Sequence, residues 1–230
     1  MPVNQEVQPE IEKTAASSAE PSQVDRAYEQ ILLSIVRGEI AGGAELKSTQ
    51  LAGRLGVSRT PVVQALQRLA ADGIVHLEAN KRAMVRPGAE RWLLEIHEMR
   101  ELLEPFAAAR AAGAIPSKEI AYLRRLADAA KPGHTSNWAE RAQEFDFALH
   151  LAIAQHAGNF VLGDAIRKCW EFKRISYLAL PERAEALAQG YGEHLAILAA
   201  LERGDAETAR AAMLFHLRSA GTLRPAKTIV

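Results

Sequence analysis

The sequence predicts a mainly α-helical protein in two parts, an N-terminal winged helix-turn-helix with a small β-hairpin wing followed by an all-α helical bundle. Three observations carry this. Between Ala52 and Leu69, two short runs of helical spacing meet at Gly56. Directly after them Ile74, Val75 and Leu77 alternate as a strand, and Met84 and Val85 return. From Trp92 onward apolar residues recur at intervals of three and four, with no strand pattern among them.

The elements follow in order. Residues 1–22 are rich in Pro, Ser, Glu and Ala without periodicity and cannot bury enough surface to order themselves, so a disordered tail is expected there. The first domain is expected over 23–87. It opens with a helix from Gln23 towards Gly38 that turns Tyr28, Ile31, Leu32 and Ile35 inward, and Ala41-Gly42-Gly43 makes a turn. Leu51, Ala52 and Leu55 give one apolar face, Gly56 supplies the tight turn, and Val57 fills the angle between the helices. Ser58 is placed to cap the next helix, and Pro61 falls in its first turn, where N–H groups have no intrahelical partner. Val62, Ala65, Leu66 and Leu69 are its buried stripe, and Gly73 ends it. Asn80, Lys81 and Arg82 lie at the tip of the wing. Pro87-Gly88 breaks the chain, with a linker expected over 88–91.

Helices are then expected over 92–112, 117–130, 138–156, 159–179, 182–203 and 205–220. Pro116, Pro132-Gly133, Gly158, Pro181 and Gly204-Asp205 separate them. The bundle is bounded at 92–224, with a tail over 225–230. No repeat of fixed period is present, which favours a compact bundle over a solenoid.

Composition narrows the function. The chain has 28 basic and 28 acidic residues, so attraction to a nucleic acid must come from a local surface rather than from bulk charge. A single cysteine, Cys169, excludes an internal disulfide and fits a reducing compartment. No run approaches the roughly 20 apolar residues of a membrane span, and no apolar leader core begins the sequence. A cytoplasmic protein without a membrane partner is expected.

The helix-turn-helix names a partner. A recognition helix presents its amino-terminal end to base edges, and Arg59, Thr60 and Gln64 face outward there. With Thr49, Ser58 and the wing residues Lys81 and Arg82, they form the candidate contact set for double-stranded DNA.

A second constellation lies in the bundle. Asp146 and His150 are four apart, one turn above each other on a helix whose Phe145, Leu149 and Ile153 are apolar. His194 lies on the stripe Leu187, Tyr191, Leu198, Leu201, and His216 on the stripe Ala209, Met213, Ala220. Three imidazoles and a carboxylate turned inward each carry a desolvation cost unless they share a partner, and a divalent metal is an economical one. Such N3O ligation suits zinc, nickel, iron or manganese. The alternative is a set of ordinary hydrogen-bonded core histidines, the reading given to His76, His97, His134 and His156. Trp170, Arg174 and Tyr177 share a helix face bordering this region, either as pocket residues or as plain core.

Val57-Ser58-Arg59-Thr60-Pro61-Val62, Ala65-Leu66 and Arg68-Leu69 through Asp72-Gly73 resemble the amino-terminal domain of GntR-type bacterial transcription regulators. The helical remainder resembles the FCD effector domain of their largest subgroup. The matching pieces are Arg100-Glu101-Leu102-Leu103-Glu104, Phe145-Asp146-Phe147 through His150, Ala157-Gly158-Asn159, Glu193-His194, Gly204-Asp205, Ala209 and Met213 to His216. The resemblance implies a dimeric repressor or activator, with a repressor as the expectation here, whose helical domain binds a small metabolite, often a carboxylate, beside a metal. It assigns Asp146, His150, His194 and His216 as the ligands, with zinc first among the candidate metals. It places Arg100 and Asn159 at the effector pocket or around it, the alternatives being a surface ion pair of Arg100 with Glu104 and a helix cap by Asn159 after Gly158; Arg174 and Tyr177 are further effector candidates from their spacing. This sequence departs from the family pattern at Val63 and Gln64, where arginine and glutamate are usual, and at Arg82, where glycine is usual. Two other functions are compatible with a protein-held metal: a metal-dependent hydrolase, and a sensor for which the metal itself is the signal.

Overall fold

The computed structural model describes residues 21–78, 82–179 and 184–222. The chain divides into two compact units, residues up to 32 with 43–86, and residues 33–42 with 87 onward.

The first unit contains most of α1 (Gln23–Val36), then β1 (Glu45–Leu46), α2 (Ser48–Leu55), α3 (Arg59–Ala71), β2 (Val75–Leu77) and β3 (Ala83–Val85). Ser22, expected in the tail, instead caps α1. Its Oγ accepts from Asp25 N–H at 3.1 Å while Asp25 Oδ2 accepts from Ser22 N–H at 3.2 Å, a reciprocal capping box. Residues 1–20 and 223–230 lie outside the described residues, as does the hairpin tip at 79–81. Gly56 ends α2 at φ 65°, a left-handed conformation that glycine adopts without the Cβ penalty, and so turns the chain into α3. Ser58 occupies the N-cap position of α3, but its side chain makes no cap hydrogen bond, contrary to the sequence expectation. The wing hairpin gains a third strand. β1 pairs antiparallel with β3, Glu45 opposite Met84 and Leu46 opposite Ala83, giving the order β1-β3-β2. Behind the motif, Tyr28 donates its hydroxyl to Asp72 at 2.6 Å, and Arg68 bridges to Asp25 at 2.8 Å while lying over the Tyr28 ring.

In the second unit a 3-10 turn (Ala89–Arg91) leads into α4 (Trp92–Ala111), α5 (Ser117–Ala129), α6 (Trp138–His156), α7 (Phe160–Ala179), α8 (Ala184–Arg203) and α9 (Ala206–Thr222). α4 packs on α6, α7 and α9, while α8 packs on α6 and α9. The core is one cluster containing Phe145, Leu149, Ile153, Ile166, Trp170, Ile197, Leu198, Leu201, Met213 and Leu217. Ala107, Ala108 and Ala111 on α4 are fully buried, and their small side chains let neighbouring helices come close.

At Gly163 α7 comes close to the backbone of α6. A Cβ added at Gly163 would stand 2.7 Å from the Ala154 carbonyl oxygen. Alanine gains about 1 kcal/mol over glycine in a helix interior, whereas overpacking a core costs about 1–3 kcal/mol. The opposing atom is backbone and cannot swing aside, so the strain wins. Gly163→Ala is expected to lower the urea unfolding midpoint of the protein, against the helix-propensity trend.

Candidate functional site

In the first unit, Arg59, Thr60 and Gln64 are exposed on α3, as Thr49 on α2 and Ser58 at the cap position are. Arg59 does not float. Its Nε donates to Ser48 Oγ on α2 at 2.9 Å, which restrains the exposed guanidinium and leaves its outer nitrogens out of that bond. Val63 is half-buried, so it leaves Gln64 as the polar side chain at the second turn of the helix. Arg82 is exposed, 3.9 Å from Glu45. Lys81 lies outside the described residues.

In the second unit, α6, α8 and α9 bring Asp146, His150, His194 and His216 together, with one ligand atom of each within 4.8 Å of all the others. All four residues are buried. His150 Nε2 stands 3.4 Å from His194 Nε2, which is 3.0 Å from His216 Nε2. Asp146 Oδ1 lies 3.2 Å from His150 Nε2 and 3.0 Å from His194 Nε2.

Outside this cluster a second layer of groups holds the rings. His150 Nδ1 meets Glu104 Oε2, and His216 Nδ1 meets Glu193 Oε2 at 2.9 Å. Ionised carboxylates only accept, so each ring donates its Nδ1–H, and in the neutral imidazole the lone pair is then on Nε2. Ser219 donates to Glu193 at 2.7 Å, and the Tyr177 hydroxyl donates to Asp146 Oδ2.

The electrostatics agree. Burial would raise the Glu104 carboxyl, but Arg100 and His150 outweigh it and hold it at about 2. Burial would also raise Asp146, and the neighbouring His194 and His150 carry it well below the usual carboxylate range. Burial, reinforced by the adjacent His194, presses His216 down to about 3, so its imidazole is neutral. His150 is drawn upward, because Glu104 and Asp146 more than offset its burial.

The residues fit a metal ion. His216 is neutral and directs its Nε2 lone pair inward, and His150 does the same once its Nε2 gives up a proton, which binding of a cation in place of that proton would achieve. Asp146 Oδ1 is buried and has no correctly oriented donor. Zinc–ligand bonds of about 2.0–2.1 Å place tetrahedral ligand atoms roughly 3.4 Å apart. The separations of 3.0–3.4 Å among His150, His194, His216 and Asp146 are close to that spacing, and the remaining pairs lie within 4.8 Å.

The residues assigned to an effector are more dispersed. Arg100 is 2% exposed, donates Nε to Glu104 Oε1 at 2.6 Å and lies over the Trp170 ring at 4.2 Å. Asn159 is exposed and caps α7, its Oδ1 accepting from Leu162 N–H at 3.1 Å. It sits eleven residues before Trp170, roughly 16 Å along the helix at 1.5 Å per residue, too far to reach the cluster. Tyr177 touches Asp146, and Arg174 is exposed about one turn before it. Sequence reading gave no role to Ser48, Glu193 or Ser219, and named Glu104 only as a partner of Arg100. The available signal was Glu104 on the apolar side of α4, next to Pro105, Ala107 and Ala108.

Comparison with known proteins gives two family matches. Residues 23–85 match "Bacterial regulatory proteins, gntR family", and residues 95–219 match "FCD domain". A similar curated protein is the HTH-type transcriptional regulator LutR of Bacillus subtilis, 30% identical over 80% of this chain and 92% of that one. Another is the probable D-xylose utilization operon transcriptional repressor of Paenarthrobacter nicotinovorans, 27% identical over 81% and 82%. Among solved structures, Escherichia coli McbR/YncC superposes with a TM-score of 0.60 at 24% identity, over 87% of this chain and 95% of that one, a likeness of fold.

Proposed function

The chain belongs to the GntR family of bacterial regulatory proteins and carries its FCD domain, and from that premise we propose a metabolite-responsive repressor that reads a palindromic operator as a homodimer. It is a transcription regulator and not an enzyme, as its relatives are.

The observation that carries the effector half of the reading is the convergence of Asp146, His150, His194 and His216 inside the FCD domain. These residues would hold a divalent transition metal, zinc ahead of nickel, iron or manganese. When bound, the metal supplies an electrophilic centre that attracts a carboxylate oxygen. Tyr177, whose hydroxyl contacts Asp146, and the exposed Arg174 one turn before it on α7 would be the effector's polar partners on exchanging their present contacts, which suits a small carboxylate effector. Arg100 joins them only by leaving Glu104. The effector acts by preferring one arrangement of the dimer, so its differential affinity, not its absolute one, sets the response.

The DNA half rests on Arg59, Thr60 and Gln64, exposed on α3, and on the exposed Thr49, Ser58 and Arg82; Lys81 joins this set from its place in the sequence alone. Arginine bidentate to guanine is worth about 1–3 kcal/mol of discrimination, so valine at position 63 redirects reading towards the bases that Gln64 can pair, adenine first.

Dimerisation is supported by α4. Met99, Leu102 and Phe106 are exposed on one of its faces, Leu102 by 78%. An antiparallel pair of α4 helices about a two-fold between Leu102 and Leu103 sets Met99 against the partner's Phe106, and Glu95 against the partner's Arg110. The stripe is then covered and the flanking charges are opposite.

Three measurements test this function. Fragments of the source genome selected by metal-loaded protein are expected to share a palindrome, and Arg59→Ala is expected to weaken its binding by about 1–3 kcal/mol. Recovery of nothing specific, with or without added carboxylates, counts against the reading. Elemental analysis is expected to find about one transition metal per chain, lost in His194→Ala; DNA affinity that follows metal concentration with no organic ligand present would favour a metal sensor. Leu102→Arg is expected to convert the dimer to monomer in sedimentation without loss of helical content.

A further inference from the structure

One carboxylate joins the candidate metal centre to two further helices. Glu104 on α4 is 1% exposed and is shared among three donors. Its Oε1 accepts from Arg100 Nε at 2.6 Å and from the Trp170 indole N–H of α7 at 3.0 Å. Its Oε2 faces Nδ1 of His150 on α6. The first two groups are donors by their chemistry. The third is not, because a neutral imidazole carries its proton on either nitrogen.

We propose that Glu104 is the positioning residue of the metal centre, holding the His150 proton on Nδ1 so that Nε2 stays open towards Asp146, His194 and His216. This inference rests on the metal reading above. The reason is one of counting. Only a group that accepts at both ends satisfies three donors in this buried space. Glutamine is nearly isosteric, but its carbonyl would stay with Arg100 and Trp170, and its amide N–H would then point at His150 Nδ1. The imidazole proton must move to Nε2, the atom 3.2 Å from Asp146 Oδ1 and 3.4 Å from His194 Nε2. Aspartate keeps the charge but is one methylene shorter. The Glu193 contact to His216 is less confined, since Glu193 is half-buried and also accepts from Ser219 and Gln189. The burial of Glu104 makes its contact the one that water cannot replace.

The test uses the full chain, as wild type, Glu104→Gln and, as a control on an exposed position of the same helix, Glu98→Gln. Nitrogen–proton correlation spectra of the histidine side chains, taken after chelation at alkaline pH where the imidazoles are neutral, locate the proton on His150. Competition against a chromophoric chelator gives the affinity for zinc. The expected result is an Nδ1 proton in wild type and Glu98→Gln and an Nε2 proton in Glu104→Gln, with zinc affinity about 10–100-fold lower in that variant alone and unchanged helical circular dichroism. An Nδ1 proton in Glu104→Gln together with undiminished zinc affinity overturns the proposal. Should that variant fail to fold, wild type decides, Nδ1 supporting the proposal and Nε2 overturning it. A wild type that takes up no zinc overturns the metal reading instead, and the two failures are separable because the proton is located without metal.

Discussion

The constraint on which the bundle depends is the cost of burying charge. Arg100, Glu104, Asp146, His150, His194 and His216 are all less than 10% exposed, in a core otherwise built of leucine, isoleucine, alanine and aromatic side chains. An isolated ion in such surroundings costs far more than one helix contact returns, so each charge must meet a partner. Arg100 and Glu104 neutralise each other one helical turn apart, with Trp170 across both. Glu193, Ser219 and His216 close a second network. Asp146 Oδ1 is left without a hydrogen-bond partner, and the Nε2 atoms of His150, His194 and His216 gather around it. The same arrangement that makes the helices compatible with buried polar groups therefore leaves a place for one cation.

That requirement also explains the packing around it. α4 carries Arg100 and Glu104 into the core and then becomes an alanine-rich surface at Ala107, Ala108 and Ala111. α7 approaches α6 closely enough at Gly163 that no side chain fits, and farther along the same helix it places Trp170 against His150. Ring orientation is thus set by both hydrogen bonds and steric contact. A site held in this way does not depend on a loop, and whatever binds there acts on rigid elements.

The DNA-reading unit solves a different problem. A chain with equal numbers of acidic and basic residues gains no general attraction to a polyanion, so placement must supply it. Arg59 is braced by Ser48 across the turn that Gly56 permits, and α3 is held from behind by the bridge of Arg68 to Asp25 and the hydrogen bond of Tyr28 to Asp72. Stability is built on one side of the helix, and the other side remains open.

Much of this was legible in the sequence because helices advertise themselves. The stripe Val62, Ala65, Leu66, Leu69 and the breaks at Pro116 and Gly158 gave the element order, and the inward stripes through His150, His194 and His216 gave the cluster before any distance was known. Residue spacing could not reveal β1, since two residues have no period and their strand exists only by pairing with β3. Nor could it reveal that Ser58 withholds its cap, or that Glu104 rather than Arg100 touches the His150 ring; the capping role of Asn159 is one of its two sequence readings. Local chemistry determined which residues turn inward, through the regular geometry of a helix. Which of them meet depends on the crossing of helices distant in the chain, and only the tertiary structure decided that.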